Sequence, residues 1–155
     1  LHSTSRRQRQ MCIRDSDITL KHVFSCMQIN VAAGKGYTEE ELNEVVESVT
    51  VHGVSTGASI NLSTGAVKAE GGEKMITPWK DGEYYKALIV PQSVAEVGLI
   101  VVLINKKEYT LKKAFTFETN KRYKFTVTVD KTNEGINVGI GNWEEDGVDH
   151  GGVAE

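Results

Sequence analysis

Residues 122–130 read RYKFTVTVD. Tyr123, Phe125, Val127 and Val129 alternate with Lys124, Thr126 and Thr128. Successive side chains of a strand point to opposite faces, so this period of two marks a strand with one face buried and one face wet. The turn-forming stretch ETNK at Glu118–Lys121 precedes it. Before that turn, Glu108–Phe117 repeats the pattern, with Tyr109, Leu111, Phe115 and Phe117 inward and an interruption at Lys113. KTNEG follows at Lys131–Gly135, and Gly135 can take a positive φ there. Ile136, Val138 and Ile140 then alternate with Asn137, Gly139 and Gly141. Three consecutive half-buried strands separated by short turns are the beginning of an antiparallel sheet structure.

The same grammar extends toward the N-terminus. Val49 and Val51 alternate with Ser48, Thr50 and His52, and Ile60 and Leu62 alternate with Ser59, Asn61 and Ser63. Ser63-Thr64-Gly65 separates that run from Val67–Ala69 as a short hairpin. Ala87–Val90 and Leu99–Ile104 are apolar throughout and read as central strands covered on both faces, or as a strand pair at the middle of a sandwich. Asn105-Lys106-Lys107 turns the second of these into Glu108–Leu111, while Glu70–Glu73 (EGGE) and Asp81-Gly82 mark longer loops. Val90-Pro91-Gln92 ends a strand, because proline has no N–H to continue a ladder. One helix is predicted from Thr38 to Val46. Thr38 with Glu41 makes a capping box, acids fill the first turn, and Leu42, Val45 and Val46 form the apolar stripe. With eight to ten short strands and no βαβ alternation, the chain reads as an all-β antiparallel sandwich or barrel with one short helix.

Composition bounds the function. The chain has 155 residues, 39% hydrophobic, with a net charge of −3 and two cysteines. That is enough apolar content for a core, and two cysteines build no disulfide framework. The longest apolar stretch, Val97–Ile104, falls well short of the roughly 20 residues a bilayer span needs. The only basic concentration is at the N-terminus, where Leu1–Ser16 holds four arginines and one acid without hydrophobic period. It lacks the apolar core of a signal peptide. Arg6–Ser16, RRQRQMCIRDS, resembles instead the conceptual translation of a transposon-type sequencing adapter: Met11–Ser16 corresponds codon by codon to ATG TGT ATA AGA GAC AG plus one further base. Residues 1–16 are therefore set aside as a disordered artefactual segment, and the chain proper is read as beginning inside a longer protein. What remains, Asp17–Glu155, has 14 basic and 20 acidic residues, a net of −6. A nucleic-acid partner is not expected of it. Glu144–Glu155, EEDGVDHGGVAE, reads as an acidic, glycine-rich tail.

Few residues suggest chemistry. Ala33-Gly34-Lys35-Gly36 lacks the second glycine and the hydroxyl of a phosphate-binding loop and reads as a loop entering the helix. His22, His52 and His150 lack metal-ligand spacing, and the tail acids lack a calcium-loop register, so neither a metal nor a cofactor is expected. Cys26 reads as a small buried hydrophobe rather than a nucleophile; no third group joins it and His22 to make a catalytic set, and G-x-S-x-G is absent. No enzymatic constellation is legible. Trp79, Tyr84, Tyr85 and Trp143 are the candidate ligand-facing aromatics, able to stack on sugar rings but equally suited to core packing.

Six pieces in one order resemble the fimbrillin family of Bacteroidales surface proteins: His22-Val23-Phe24, the capped helix Thr38–Val46, the x-L-x-T-G hairpin Asn61–Gly65, the V-P-Q ending of Ile89–Gln92, the strand Lys121–Lys131 and Ile140–Trp143. The resemblance implies a transthyretin-like or Ig-like Greek-key sandwich over residues 17–143, corresponding to the C-terminal half of a two-domain subunit. It implies a structural subunit or an accessory or tip adhesin of a fimbrium that assembles with other fimbrial subunits by β-strand complementation. The strand-accepting groove is then expected in a missing N-terminal domain, together with a lipoprotein signal that would attach the protein to the outer membrane at the cell surface. The alternative is a carbohydrate-binding surface module, with a host or glycan ligand.

Overall fold

The structure, a computed structural model, describes residues 18–132, 135–140, 144–145 and 152–154. The N-terminal segment 1–16, Trp143 and most of the acidic tail lie outside the described residues. In chain order the elements are β1 (Ile18–Leu20), β2 (Ser25–Ala33), α1 (Glu39–Val45), β3 (Val46–Ile60), β4 (Val67–Ile76), β5 (Trp79–Asp81), β6 (Tyr84–Ile89), β7 (Gln92–Ile104), β8 (Lys107–Phe117), β9 (Arg122–Thr132), β10 (Gly135–Ile140), β11 (Glu144–Glu145) and β12 (Gly152–Ala154). They form an all-β sandwich. One sheet has the order β10–β9–β2–β6–β5, with β11 also beside β9; the other has the order β4–β3–β7–β8. The short strands β1 and β12 pair with each other, Ile18 opposite Ala154.

Alternation decides which face each strand buries. On β9, Tyr123, Phe125, Val127 and Val129 are buried, as the period of two requires. On β8, Leu111, Phe115 and Phe117 face them from the other sheet. Phe115 lies edge-on to Phe117, Tyr123 and Phe125 with ring centroids 4.8, 4.9 and 5.1 Å apart, the geometry aromatic quadrupoles favour. Met27, Ile29, Ile89, Val51, Ile100, Val102 and Ile104 complete the core. The Lys113 interruption coincides with bulges in the β7–β8 ladder, between Val94 and Val97 and between Gly98 and Ile100.

The helix forms where the capping residues place it. Thr38 N–H donates to Glu41 Oε2 (3.0 Å) and Glu41 N–H to Thr38 Oγ1 (3.3 Å), and Leu42 is its buried residue.

Five expectations change. Cys26 is only half-buried and lies on the outer face opposite Leu88 and Arg122, because Met27 and Ile29 fix the inward phase of β2. The inward position preceding Met27 is Ser25, buried because its Oγ donates to the Glu118 carbonyl at 2.7 Å. Glu70–Glu73 is strand rather than loop: Gly57 lets the Glu70 carbonyl approach to a distance a Cβ could not share, and the irregularity there is absorbed as a bulge. Leu62 stands in the hairpin turn and not on the strand. Asp81 is the last residue of β5, paired with Tyr84, so Gly82-Glu83 is a two-residue hairpin turn rather than a longer loop, with Gly82 at φ +61°. Finally, the two wholly apolar runs are covered on one face only. Leu88 is 69% exposed, and Val101 and Leu103 are half-buried on the outer side of β7. Each sheet is packed on its inner face alone, so apolar residues at outward positions meet no second layer among the described residues.

β2 and β9 pair in parallel, from Cys26↔Arg122 to Ala33↔Val129. Parallel neighbours need a long connection, and the helix and the whole second sheet lie between them in sequence. Just past β2, Gly34 is pressed onto β9, where its absent Cβ would lie 1.9 Å from Asp130 Oδ1; the same oxygen accepts from Lys35 N–H at 2.7 Å.

The chain crosses between sheets at Pro91, leaving β6 and entering β7. There the Gln92 side chain imitates a strand. Its Oε1 accepts from Ser55 N–H (2.9 Å), and its Nε2 donates to the Ser55 carbonyl (3.0 Å) and the Val90 carbonyl (3.1 Å). Gln92→Ala is expected to lower stability by about 1–3 kcal/mol, the cost of leaving part-buried backbone groups unmatched, and Gln92→Glu is expected to recover only the Ser55 N–H bond. Phe125→Ala is expected to cost about 3–5 kcal/mol as a core truncation. Denaturant unfolding measures both; a loss below about 1 kcal/mol for Phe125→Ala would contradict its place in the core.

Candidate functional site

The outer face of the six-stranded sheet brings together two of the four aromatic candidates, Trp79 and Tyr84. β5 pairs β6 with Trp79 opposite Lys86 and Asp81 opposite Tyr84. β6 pairs β2 with Lys86 opposite Gln28 and Tyr84 opposite Asn30, and β2 pairs β9 with Gln28 opposite Lys124 and Asn30 opposite Thr126. Residues opposite one another share a face, so two rows run across the sheet: Trp79, Lys86, Gln28 and Lys124, then Asp81, Tyr84, Asn30 and Thr126.

Trp79 is 70% exposed. It stands on a three-residue edge strand, diagonal to Tyr84, at the roughly 7–8 Å spacing of diagonal sheet neighbours. Tyr84 is half-buried, with the Lys124 ammonium 5.7 Å from its ring centre. Lys86 and Asp81 form an ion pair between the two aromatic positions. Being largely solvated, the pair contributes little to stability, but it fixes a donor and an acceptor beside Trp79. Tyr85 has the opposite phase: it is half-buried against the core, with Lys80 Nζ 5.6 Å from its ring centre. The structure thus brings Trp79 and Tyr84 together, assigns Tyr85 to packing, and leaves Trp143 outside the described residues. Among the described residues no three His, Cys, Asp or Glu side chains group closely enough to hold a metal ion.

Two further surface features carried no recognisable signal in the sequence. The first is a groove of about 440 Å³ on the outer face of the four-stranded sheet, lined by Val101, Leu103 and the exposed Met75 together with Ser48, Thr50, His52, Gly98, Thr110 and Glu108. In it Thr50 Oγ1 and His52 Nε2 are 2.9 Å apart. Its apolar part was legible only as an unbroken apolar run, which cannot by itself distinguish a covered strand from one with an open outer face. The second is the distal part of the β3–β4 hairpin, where Ile60 is 46% and Leu62 90% exposed. N-L-S-T-G announces a turn, but nothing in it says that the leucine is held in water.

The fold defines a β-sandwich whose two outer sheet faces are uncovered among the described residues, with a projecting hairpin. The chain belongs to the fimbrillin-like family, whose profile matches residues 5–143. No curated protein matches it. Among solved structures it is similar to a candidate cell adhesion protein from Bacteroides uniformis, with 17% identity and a TM-score of 0.60 over 81% of this chain and 51% of that one. A candidate cell adhesion protein from Bacteroides ovatus has 21% identity and a TM-score of 0.55 over 79% of this chain and 45% of that one. A third, from Bacteroides fragilis, has 16% identity and a TM-score of 0.54 over 81% and 48%. At such identities the likeness is one of fold, and the chain spans about half the length of these structures.

Proposed function

We propose that this chain is a structural subunit, or an accessory or tip adhesin, of a bacterial fimbrium, assembled with other subunits by β-strand complementation and attached at the outer membrane through a lipid anchor upstream of residues 17–143. The observation that carries this reading is the family match over residues 5–143. β4 carries Lys68, Glu70, Glu73 and Lys74, and β8 carries Lys107, Glu108, Lys112 and Lys113. Charges along these two edge strands discourage addition of another strand to the four-stranded sheet, whereas the edge strand β10 of the other sheet, GINVGI, carries none. Expressed with an export signal and the second domain in a Bacteroidales host, the protein is expected to appear in surface filaments by immunogold labelling. It is also expected to run as a ladder on unboiled denaturing gels, because a completed ladder resists dissociation. Protein found only as an intracellular monomer would overturn this reading.

A second reading, a carbohydrate-binding surface module, is favoured by the placement of Trp79. A flat indole 70% exposed, beside Tyr84 and a row of amide and charged groups, suits the apolar face and hydroxyl edge of a sugar ring. On a glycan array, Trp79→Ala is expected to abolish at least tenfold of the binding shown by the unaltered chain, with Tyr85→Ala close to neutral. Equal binding by Trp79→Ala, or no glycan bound by the unaltered chain, would remove this reading.

A further inference from the structure

The two large sheets end in four strands, and three of these are guarded. β4 and β8 carry charges along their length, and β5 is three residues long. The fourth, β10, reads GINVGI and has neither a charge nor a proline. Among the described residues it pairs with β9 alone, from Gly135↔Thr132 to Ile140↔Val127. Successive residues of a strand turn their N–H and C=O groups to opposite sides. The side of β10 away from β9 is therefore a row of backbone donors and acceptors about 20 Å long.

Burial thins toward this edge. Val127 and Val129 of β9 are fully buried. Val138, opposite Val129, packs on the same core but is only half-buried. The facing sheet ends in β8, whose Phe115 and Phe117 pack against Tyr123 and Phe125 of β9. The core is thus closed over β9 and only partly closed at β10. Glycine occupies positions 135 and 139 of the edge, and glycine within a strand removes the side chain that would hold another backbone away. Farther along the same side of β9, β11 resumes the pairing at Glu144↔Lys124 and bounds the open length with two acids.

We propose that β10 accepts, as an added strand of the six-stranded sheet, an extended and uncharged segment of a neighbouring fimbrial subunit with apolar residues at alternate positions. The proposal rests on the strand-complementation reading above, and it adds an accepting edge in this domain to the groove expected upstream. The backbone row sets the form of the occupant, because a strand matches donors and acceptors at strand spacing. The period of two in Ile136, Val138 and Ile140 sets its pattern: apolar residues opposite these positions extend the inner face where Val138 leaves the core unfinished. A charge at such a position would be buried without a partner, and Glu144-Glu145 at one end disfavour an acidic segment there. A second copy has no other long uncharged edge among its described strands, so it can offer only its own β10. That pairing is isologous and stops at two copies, whereas a donated segment leaves the donor's own β10 open for the next subunit.

The test is amide hydrogen exchange of the full chain, followed by NMR, with a blocked synthetic peptide as probe. The peptide carries the sequence of Gly135–Ile140 between two serines, which supplies an uncharged strand of the required pattern. Saturating peptide is expected to slow exchange about tenfold at the β10 amides that do not bond to β9, with β4 and β8 unchanged. The same peptide N-methylated at its two central residues, which interrupts both of its edges, is expected to give no protection. Asn137→Lys is expected to weaken peptide binding about tenfold with the melting temperature kept, because position 137 is opposite Asp130 in the chain's own sheet. No protection of β10, equal protection by the N-methylated peptide, or protection at β4 or β8 instead would overturn the proposal. So would faster exchange in β10, which would mean that the peptide displaces the strand, or protection that rises with protein concentration alone, which would assign the edge to a second copy. Surface filaments formed undiminished by the Asn137→Lys protein overturn this edge alone. Peptide capture at β10 by a chain that never enters surface filaments overturns the fimbrial reading alone.

Discussion

The edge-to-face contacts of Phe115 and Phe117 with Tyr123 and Phe125 tie the two sheets together. The four rings lie on strands that are consecutive in the chain but belong to different sheets, joined only by Glu118–Lys121. A turn that short leaves β8 and β9 little freedom to slide, and a one-residue slip of either would turn its aromatics into solvent. The turn is itself fastened: Ser25 Oγ donates to the Glu118 carbonyl, Glu118 N–H to the Tyr123 hydroxyl at 3.3 Å, and Cys26 N–H to the Lys121 carbonyl at 2.8 Å. The last of these bonds begins the parallel β2–β9 ladder. The aromatic wedge, the turn and the central pair of the six-stranded sheet are therefore one cooperative unit, and the remaining strands add outward from it.

Such a sandwich has two inner faces that bury each other and two outer faces that do not. The outer faces differ in character. The six-stranded sheet presents Trp79 and Tyr84 among amides and charges, whereas the four-stranded sheet presents hydroxyls around the half-buried Val101 and Leu103. Its long edges are charged, and the other sheet ends on one side in the three-residue strand β5. Growth by adding strands is thereby discouraged at those three edges, while the uncharged edge strand β10 is left without that protection.

Alternation made the inner faces legible, because burial on one side is written directly into the sequence of a strand: Tyr123, Phe125, Val127 and Val129 needed nothing else. The capping box of Thr38 and Glu41 was equally local. Two kinds of feature were not legible. Phase was lost where a small polar residue occupies an inward position, as Ser25 does through a hydrogen bond to a residue 93 positions away, so Cys26 took its place in the reading. Outer-face exposure was lost because an apolar run such as Leu99–Ile104 is the same whether the second face is covered by its own chain or left open. Of the aromatic candidates, Trp79 and Tyr84 were separable from Tyr85 only once β5 and β6 were paired in register. The V-P-Q ending shows the converse: its proline was readable as a strand stop, but the work of Gln92 depends on a bulge in a strand 37 residues earlier.

That glutamine also explains how the distal part of the β3–β4 hairpin, a two-stranded arm, is held stiff. Where β3 parts from β7, its edge would lose a partner abruptly. Gln92 supplies both a donor and an acceptor to Ser55 at that point, and Ser55 Oγ donates across to the Gly71 carbonyl at 3.2 Å. The base of the arm is thus clamped by side chains and its tip by the Asn61 turn, leaving only the ladder between to flex. An arm secured at both ends therefore holds Leu62 in water at a fixed place rather than on a loose loop.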